Sequence, residues 1–174
     1  MKKTPILFSA SMIVLLAGHA DCVIAQRAPA PNPLAPFSFL AGSCWQGRFP
    51  RRQSTDEHCF EWLYDGKFLR DRHTVRGESK PYGGETTYAW NAKLNRIVYW
   101  YIALDGSFST GNADARDGAI VFPESYVSAS GTRELLNTWR RTGPDTYNIR
   151  VVEKTPAGEK ELWSMEMRRT RQYR

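Results

Sequence analysis

Catalytic signatures are scarce in this 174-residue sequence. It has no Gly-x-Ser-x-Gly, no His-Glu-x-x-His and no phosphate-binding glycine loop, which disfavours the enzyme classes that those motifs define. It has three histidines, none after His73, and three cysteines without a Cys-x-x-Cys pair. Helical periodicity and internal repeats of 20 to 50 residues are also missing, so the sequence does not predict a helical bundle or a repeat protein.

The one long apolar stretch lies at the N terminus. Two lysines precede an apolar run over residues 6–17, and residues 23–25 form a small-residue cleavage site. The run is too short to span a bilayer, and no later segment resembles a transmembrane helix. We therefore predict a bacterial signal peptide over residues 1–25, cleaved near Ala25, and a periplasmic or secreted protein. A lipoprotein modified at Cys22 is the alternative.

The formal charge is positive but mixed in sign. Lysine and arginine number 24 against 18 acidic residues, a net charge of +6. Export and the mixing of signs disfavour a nucleic-acid partner, so the charge predicts a basic solvated surface. The predicted organisation is a signal peptide (1–25), a Pro/Ala-rich linker (26–36), one β-barrel domain (37–169) and a basic tail (170–174).

Loss of the signal peptide would leave a single pair of cysteines, Cys44 and Cys59. An even number in an oxidising compartment predicts a disulfide, and the spacing fits two strands joined by a turn near residues 50–53. A bridge that closes a loop of about 15 residues contributes roughly 3 kcal/mol in the chain-entropy model. A redox-active or metal-binding pair is the alternative interpretation.

The clearest local signal is an Asp-Gly pair at residues 65–66 between two strand-like runs. Both central residues of a type I′ turn have positive φ, which Asp-Gly tolerates, so this pair predicts a β-hairpin. The turn fixes the register, in which Glu61 faces Arg70 and His58 faces His73. One face of the hairpin is then polar, and the other turns both histidines towards the interior, together with Asp71. Inward ionisable groups are costly and often mark a functional site.

Beyond the hairpin, about ten strand-length runs alternate with short turns. Short connections favour antiparallel neighbours in sequence order, and closure of such a meander removes its two edge strands. We therefore predict an all-β fold, a single antiparallel up-and-down barrel of about ten strands.

The segment Phe39-Leu40-Ala41-Gly42-Ser43-Cys44-Trp45-Gln46-Gly47 resembles the start of the barrel in the calycin superfamily, which contains lipocalins, fatty-acid-binding proteins and nitrobindin-like barrels. The layout of residues 37–169 is similar as well. The resemblance implies a lipocalin-like barrel with a binding cavity, one end of which is closed by Trp45. The haem-binding, nitrobindin-like members imply a proximal histidine late in the chain. No histidine follows His73, so no cofactor is predicted.

Short-turn pairing extends the register around the barrel and predicts which side chains line the cavity. Pairing Gly77 with Gly84 fixes the register of the strand after the hairpin. The predicted cross-strand pairs are Trp45 with His58, His73 with Tyr88, Asp71 with Trp90, and Tyr88 with Tyr99. The predicted cavity lining is Trp45, His58, Asp71, His73, Tyr88, Trp90, Tyr99 and Tyr101.

This lining favours the binding of a small hydrophobic or amphipathic molecule, with aromatic side chains supplying contact area. Several alternatives stay open. His58, His73 and Asp71 are a ligand set for zinc or iron, or Asp71 could orient an imidazole for acid–base catalysis. These groups could also be structural, or face outwards after a register slip. Asp56 and Glu57 are interpreted as turn charges. A periplasmic inhibitor that uses its loops and its N-terminal arm is the remaining alternative.

Overall fold

The computed structural model describes residues 31–172. A 3-10 turn at Ala35–Phe37 precedes ten strands. The strands are β1 (Ser43–Arg48), β2 (Thr55–Leu63), β3 (Phe68–Arg76), β4 (Tyr82–Asn91), β5 (Arg96–Ala103), β6 (Phe108–Arg116), β7 (Ala119–Ser128), β8 (Gly131–Arg141), β9 (Thr146–Thr155) and β10 (Gly158–Gln172). The predicted signal peptide and the first part of the predicted linker lie outside the described residues.

Each strand pairs antiparallel with the next, and β10 pairs with β1, so the sheet is a closed barrel in up-and-down order. The predicted fold class is therefore confirmed. Closure satisfies the backbone groups that an open sheet would leave at its edges. No helix within residues 31–172 is long and apolar enough to cross a membrane.

The hairpin of β2 and β3 has the predicted register. Its tip, residues 64–66, has positive φ throughout, at 50°, 56° and 80°. The amide of Lys67 donates to the carbonyl of Tyr64 at 3.3 Å, which closes the turn. His58 lies opposite His73, as predicted. The turn chemistry of the sequence therefore positions both imidazoles on the inward face.

Cys44 and Cys59 form the predicted disulfide. They are direct cross-strand partners of β1 and β2. The same register places Trp45 opposite His58, which confirms that predicted pair. The bridge therefore ties the strand that closes the barrel to the strand that carries the first histidine.

The register between β3 and β4 differs from the prediction. The prediction paired Gly84 with Gly77 across the turn, but β4 already begins at Tyr82. Gly84 lies inside the strand, where an added Cβ would be 2.6 Å from Cε2 of Tyr101. A glycine within a strand marks a close approach, here that of Tyr101 to His73. The residues opposite His73 and Asp71 are therefore Gly84 and Thr86, instead of the predicted Tyr88 and Trp90.

The side chain of Tyr88 nevertheless faces inwards, because the register differs by an even number of residues and strand faces alternate with period two. Tyr88 pairs with Tyr99 across β4 and β5, as predicted.

One end of the barrel is closed by the segment before β1. Leu34, Phe37 and Leu40 are fully buried there, in the same core cluster as Trp45. The indole Nε1 of Trp45 donates to the carbonyl of Leu40 at 3.2 Å, which links this segment to the first strand. We call this end the closed end.

Both predicted boundaries of the barrel domain fall inside the folded unit. Leu34 belongs to the predicted linker (26–36), yet it is only 1% exposed, because it packs into the closed end. Residues 170–172 of the predicted basic tail (170–174) belong to β10, and the hydroxyl of Thr170 donates to the carbonyl of Cys44 at 3.2 Å. Composition alone predicts neither contact, because the residues that make each contact are distant in sequence.

Candidate functional site

A cavity of about 500 Å³ occupies the barrel interior. It reaches the loops at the end opposite the closed end, where Arg52, Glu78 and Lys80 line it. This volume lies within the range of small-molecule sites in proteins, about 300–1,000 Å³. Further in, an aromatic wall surrounds the cavity, formed by Tyr88, Tyr99, Phe122 and Trp139.

Six of the eight side chains predicted to line the cavity do so. They are His58, Asp71, His73, Tyr88, Tyr99 and Tyr101. Trp45 instead packs edge-on against Tyr147 at the closed end, with ring centroids 5.2 Å apart. Trp90 lies one residue before the end of β4 and is 36% exposed. The cavity therefore extends from the middle of the barrel to the end opposite the closed end, and neither tryptophan lines it.

Four ionisable side chains form a polar cluster on one wall: Asp56, His58, Asp71 and His73. The two ring nitrogens of His58 face two carboxylates. Nδ1 lies 2.8 Å from Oδ2 of Asp71, and Nε2 lies 3.3 Å from Oδ2 of Asp56. Nδ1 of His73 lies 3.1 Å from the other oxygen of Asp56. Asp56 therefore bridges the two imidazoles, which stack with centroids 4.9 Å apart.

Burial and ion pairing compete in this cluster. Burial disfavours a charged His58, but Asp71 and Asp56 on either side outweigh it and hold the pKa of His58 well above its usual value. Burial likewise would raise the pKa of Asp56, yet the facing His58 and the hydrogen bonds from both imidazoles hold that pKa below its ordinary value. Both shifts favour the charged pair, an ionised Asp56 beside a protonated His58.

A chain of hydroxyl groups leads from the cluster towards the barrel rim. Nε2 of His73 lies 3.1 Å from the hydroxyl of Tyr101, which lies 3.1 Å from that of Tyr82. The chain continues through Tyr126 and Ser107 to Asp105, with oxygen separations of 3.5, 2.5 and 2.5 Å.

The carboxylate of Asp105 at the rim determines which group donates in each hydrogen bond of this chain. Hydrogen bonds from Ser107 hold the pKa of Asp105 below its ordinary value, so Asp105 accepts. Because each hydroxyl has one proton to donate, every hydroxyl then donates towards Asp105. Tyr101 consequently accepts from Nε2–H of His73, which fixes a proton on that nitrogen.

Three buried polar atoms in the cavity wall have no hydrogen-bond partner among the described residues. They are Oδ1 of Asp71, Oδ1 of Asn137 and Nε1 of Trp139. Asp71 is the most deeply buried of the three, at 2% exposure. Unpaired buried polar atoms are rare in proteins because each costs about 1–3 kcal/mol. Two acceptors and one donor in the residues that line the cavity are therefore unpaired within the part of the chain that the structure describes.

Sequence reasoning missed several cavity residues. Asp56 was interpreted as a turn charge, but it lies in β2 two residues before His58, and the period of two places both on the inward face. Glu124 and Trp139 come from β7 and β8, which no short turn connects to the first hairpin.

Burial raises the pKa of Glu124, and a 2.6 Å hydrogen bond from Ser109 offsets part of that rise.

No protein-family model matches this chain, and the comparison with curated proteins also finds no match. The closed ten-stranded antiparallel barrel is consistent with a lipocalin-like barrel.

Proposed function

We propose that this protein is a lipocalin-like binding protein of the periplasm or cell exterior, which holds a small hydrophobic or amphipathic molecule in its barrel cavity. The main support is a cavity of about 500 Å³ whose wall carries buried, unpartnered polar atoms. An aromatic wall offers contact area, and a few polar atoms offer orientation, which is the usual composition of a ligand pocket. The disulfide is in keeping with an oxidising compartment.

The polar atoms favour one orientation of the ligand. Oδ1 of Asp71 requires a donor, such as a hydroxyl or an amino group, at the inner end of the molecule. The apolar part would lie against the rings of Tyr99 and Phe122, which pack edge to face 5.8 Å apart. At the end opposite the closed end, Arg52 pairs with Glu78 at 3.5 Å, and Lys80 of the same loop as Glu78 would favour a neutral or anionic outer group.

Two other functions are less well supported by the contacts. Both ring nitrogens of His58 are engaged by carboxylates, and both of His73 by Asp56 and Tyr101, so neither imidazole has a free nitrogen for acid–base catalysis. An inhibitor that acts through a free N-terminal arm fits poorly with the burial of Leu34 at the closed end.

A cavity-filling variant tests this proposal with 1-anilinonaphthalene-8-sulfonate, an aromatic anion, as the probe. Leu135 is partly buried in the cavity wall, and its replacement by tryptophan would occupy part of the cavity. We expect calorimetry to give one saturable site in the unaltered protein. Leu135→Trp should weaken the affinity at least tenfold, the equivalent of about 1.4 kcal/mol.

Leu94→Trp is the matched control, because Leu94 is 55% exposed in the turn between β4 and β5, outside the cavity. It should leave the affinity unchanged. Urea denaturation would verify that both variants are folded. Absence of saturable binding, or equal losses in the two variants, would show that the cavity is not the binding site.

A further inference from the structure

The inner wall of the cavity brings together three side chains of the types that ligate transition metals. One ligand atom from each of Asp56, His58 and His73 lies within 4.8 Å of the others. Nε2 of His58 and Nδ1 of His73 are 3.3 and 3.1 Å from the two oxygens of Asp56. Ligands about 2.0–2.2 Å from a tetrahedral zinc ion lie about 3.4 Å from one another, so each nitrogen–oxygen separation, taken to its own oxygen of Asp56, has the length found in a coordination shell.

We propose that Asp56, His58 and His73 form a binding site for a divalent transition metal ion. Two imidazoles and one carboxylate are a common ligand set for zinc and for non-haem iron. The sequence placed Asp71 in this set, but its carboxylate contacts the far nitrogen of His58, and Asp56 takes the ligand position.

Both imidazoles are held with the required nitrogen directed to the site. Nδ1 of His58 donates to Oδ2 of Asp71 at 2.8 Å, which leaves Nε2 to coordinate. Nε2 of His73 donates to the hydroxyl of Tyr101 at 3.1 Å, which leaves Nδ1 to coordinate. A hydrogen bond from the second nitrogen to a carboxylate or hydroxyl oxygen is the arrangement that fixes metal-ligating histidines in proteins.

The charges around the site also favour a cation. The carboxylate of Asp56 is one of the proposed ligands, and that of Asp71 contacts the other nitrogen of His58 at 2.8 Å. A divalent ion would therefore be held close to two carboxylates, with histidine coordinating in its neutral form.

Three protein ligands leave a tetrahedral ion with one open position, and all three ligands line the cavity. The open position would accept an anionic or neutral oxygen of a small molecule, such as a carboxylate or a hydroxyl group. The metal site itself does not depend on the proposed binding of an organic molecule, because zinc alone would occupy it.

Zinc is the probe for the test, with the full-length protein purified without an affinity tag and stripped with a chelator. We expect calorimetry to give one zinc ion per chain. Asp56→Asn and His73→Gln should each weaken zinc binding at least 100-fold. Asp71→Asn should weaken it 10- to 100-fold, because it removes only the partner that orients His58.

Glu57→Gln is the matched control, since Glu57 neighbours Asp56 on β2 but contacts Arg171 outside the barrel at 3.2 Å. Its zinc affinity should be unchanged. The melting temperature of the unaltered protein should rise by roughly 5–10 °C at a zinc concentration about 100 times the dissociation constant. Folded Asp56→Asn or His73→Gln protein should show no such rise.

Absence of one-to-one zinc binding in the unaltered protein would overturn the proposal. Undiminished zinc binding by folded His73→Gln would overturn it too, because the ion would then lie elsewhere. Binding of the anilinonaphthalene probe by the chelator-treated protein tests the organic cavity separately, so failure of one proposal is distinguishable from failure of the other.

Discussion

Replacement of His58 by alanine should lower the free energy of unfolding by about 3–5 kcal/mol, the range measured when one partner of a buried ion pair is removed. His58 lies between Asp71 at 2.8 Å and Asp56 at 3.3 Å, and all three side chains are at least nine-tenths buried. Alanine would leave two buried carboxylates without the neighbouring cation. Urea denaturation at pH 6 with a chelator present measures the loss independently of any metal.

The choice of pH 6 follows from the direction in which the pKa of His58 is shifted. Because its pKa is raised in the folded state, His58 contributes its full stabilisation below the unfolded pKa of about 6.5 and loses it as the pH rises through the folded value. Arg150→Ala is the control, because it breaks an exposed ion pair with Glu161 and should cost no more than about 1 kcal/mol. Equal costs for the two variants would contradict the proposed role of His58.

Replacement of Trp45 by alanine should cost about 3–5 kcal/mol, as for other large aromatic side chains in protein cores. Its indole is fully buried, packs edge-on against Phe39 and Tyr147, and donates to the carbonyl of Leu40. The guanidinium of Arg169 lies over the ring, 4.5 Å from its centroid. Removal of the indole would open a cavity at the closed end and release the segment that covers it.

Trp100→Ala is the matched control for this prediction. Trp100 is 51% exposed on β5, so the same substitution there should change the free energy of unfolding by about 0.5 kcal/mol. Urea denaturation of both variants gives the comparison. Trp45→Ala within 1 kcal/mol of Trp100→Ala would mean that the closed end contributes little to stability.

Local chemistry determines the parts of the site that the sequence predicted well. The Asp-Gly turn fixes one hairpin, and through it the facing positions of His58 and His73. The cysteine pair fixes the register of the preceding strand, β1, against β2 in the same way, so that Trp45 lies opposite His58. In both cases a short connection or a covalent bond sets the register, and both features can be read from nearby residues.

The parts that the sequence missed depend on contacts that no short connection encodes. Gly84 was paired with Gly77 across the turn, but it lies inside β4, where it makes room for the ring of Tyr101 from β5. Trp139 reaches the cavity from β8, and its position depends on closure of the whole barrel. Asp56 could have been assigned correctly, since strand alternation from His58 alone turns it inwards.

The most direct test of ligand binding is a native mass spectrum of the purified protein, recorded as isolated and after incubation with excess 1-anilinonaphthalene-8-sulfonate. We expect a non-covalent adduct of one small molecule per chain that disappears on denaturation, and a weaker adduct in Leu135→Trp than in Leu94→Trp. A bare protein mass under both conditions would contradict this expectation and would indicate a barrel whose interior holds neither a co-purified molecule nor the probe.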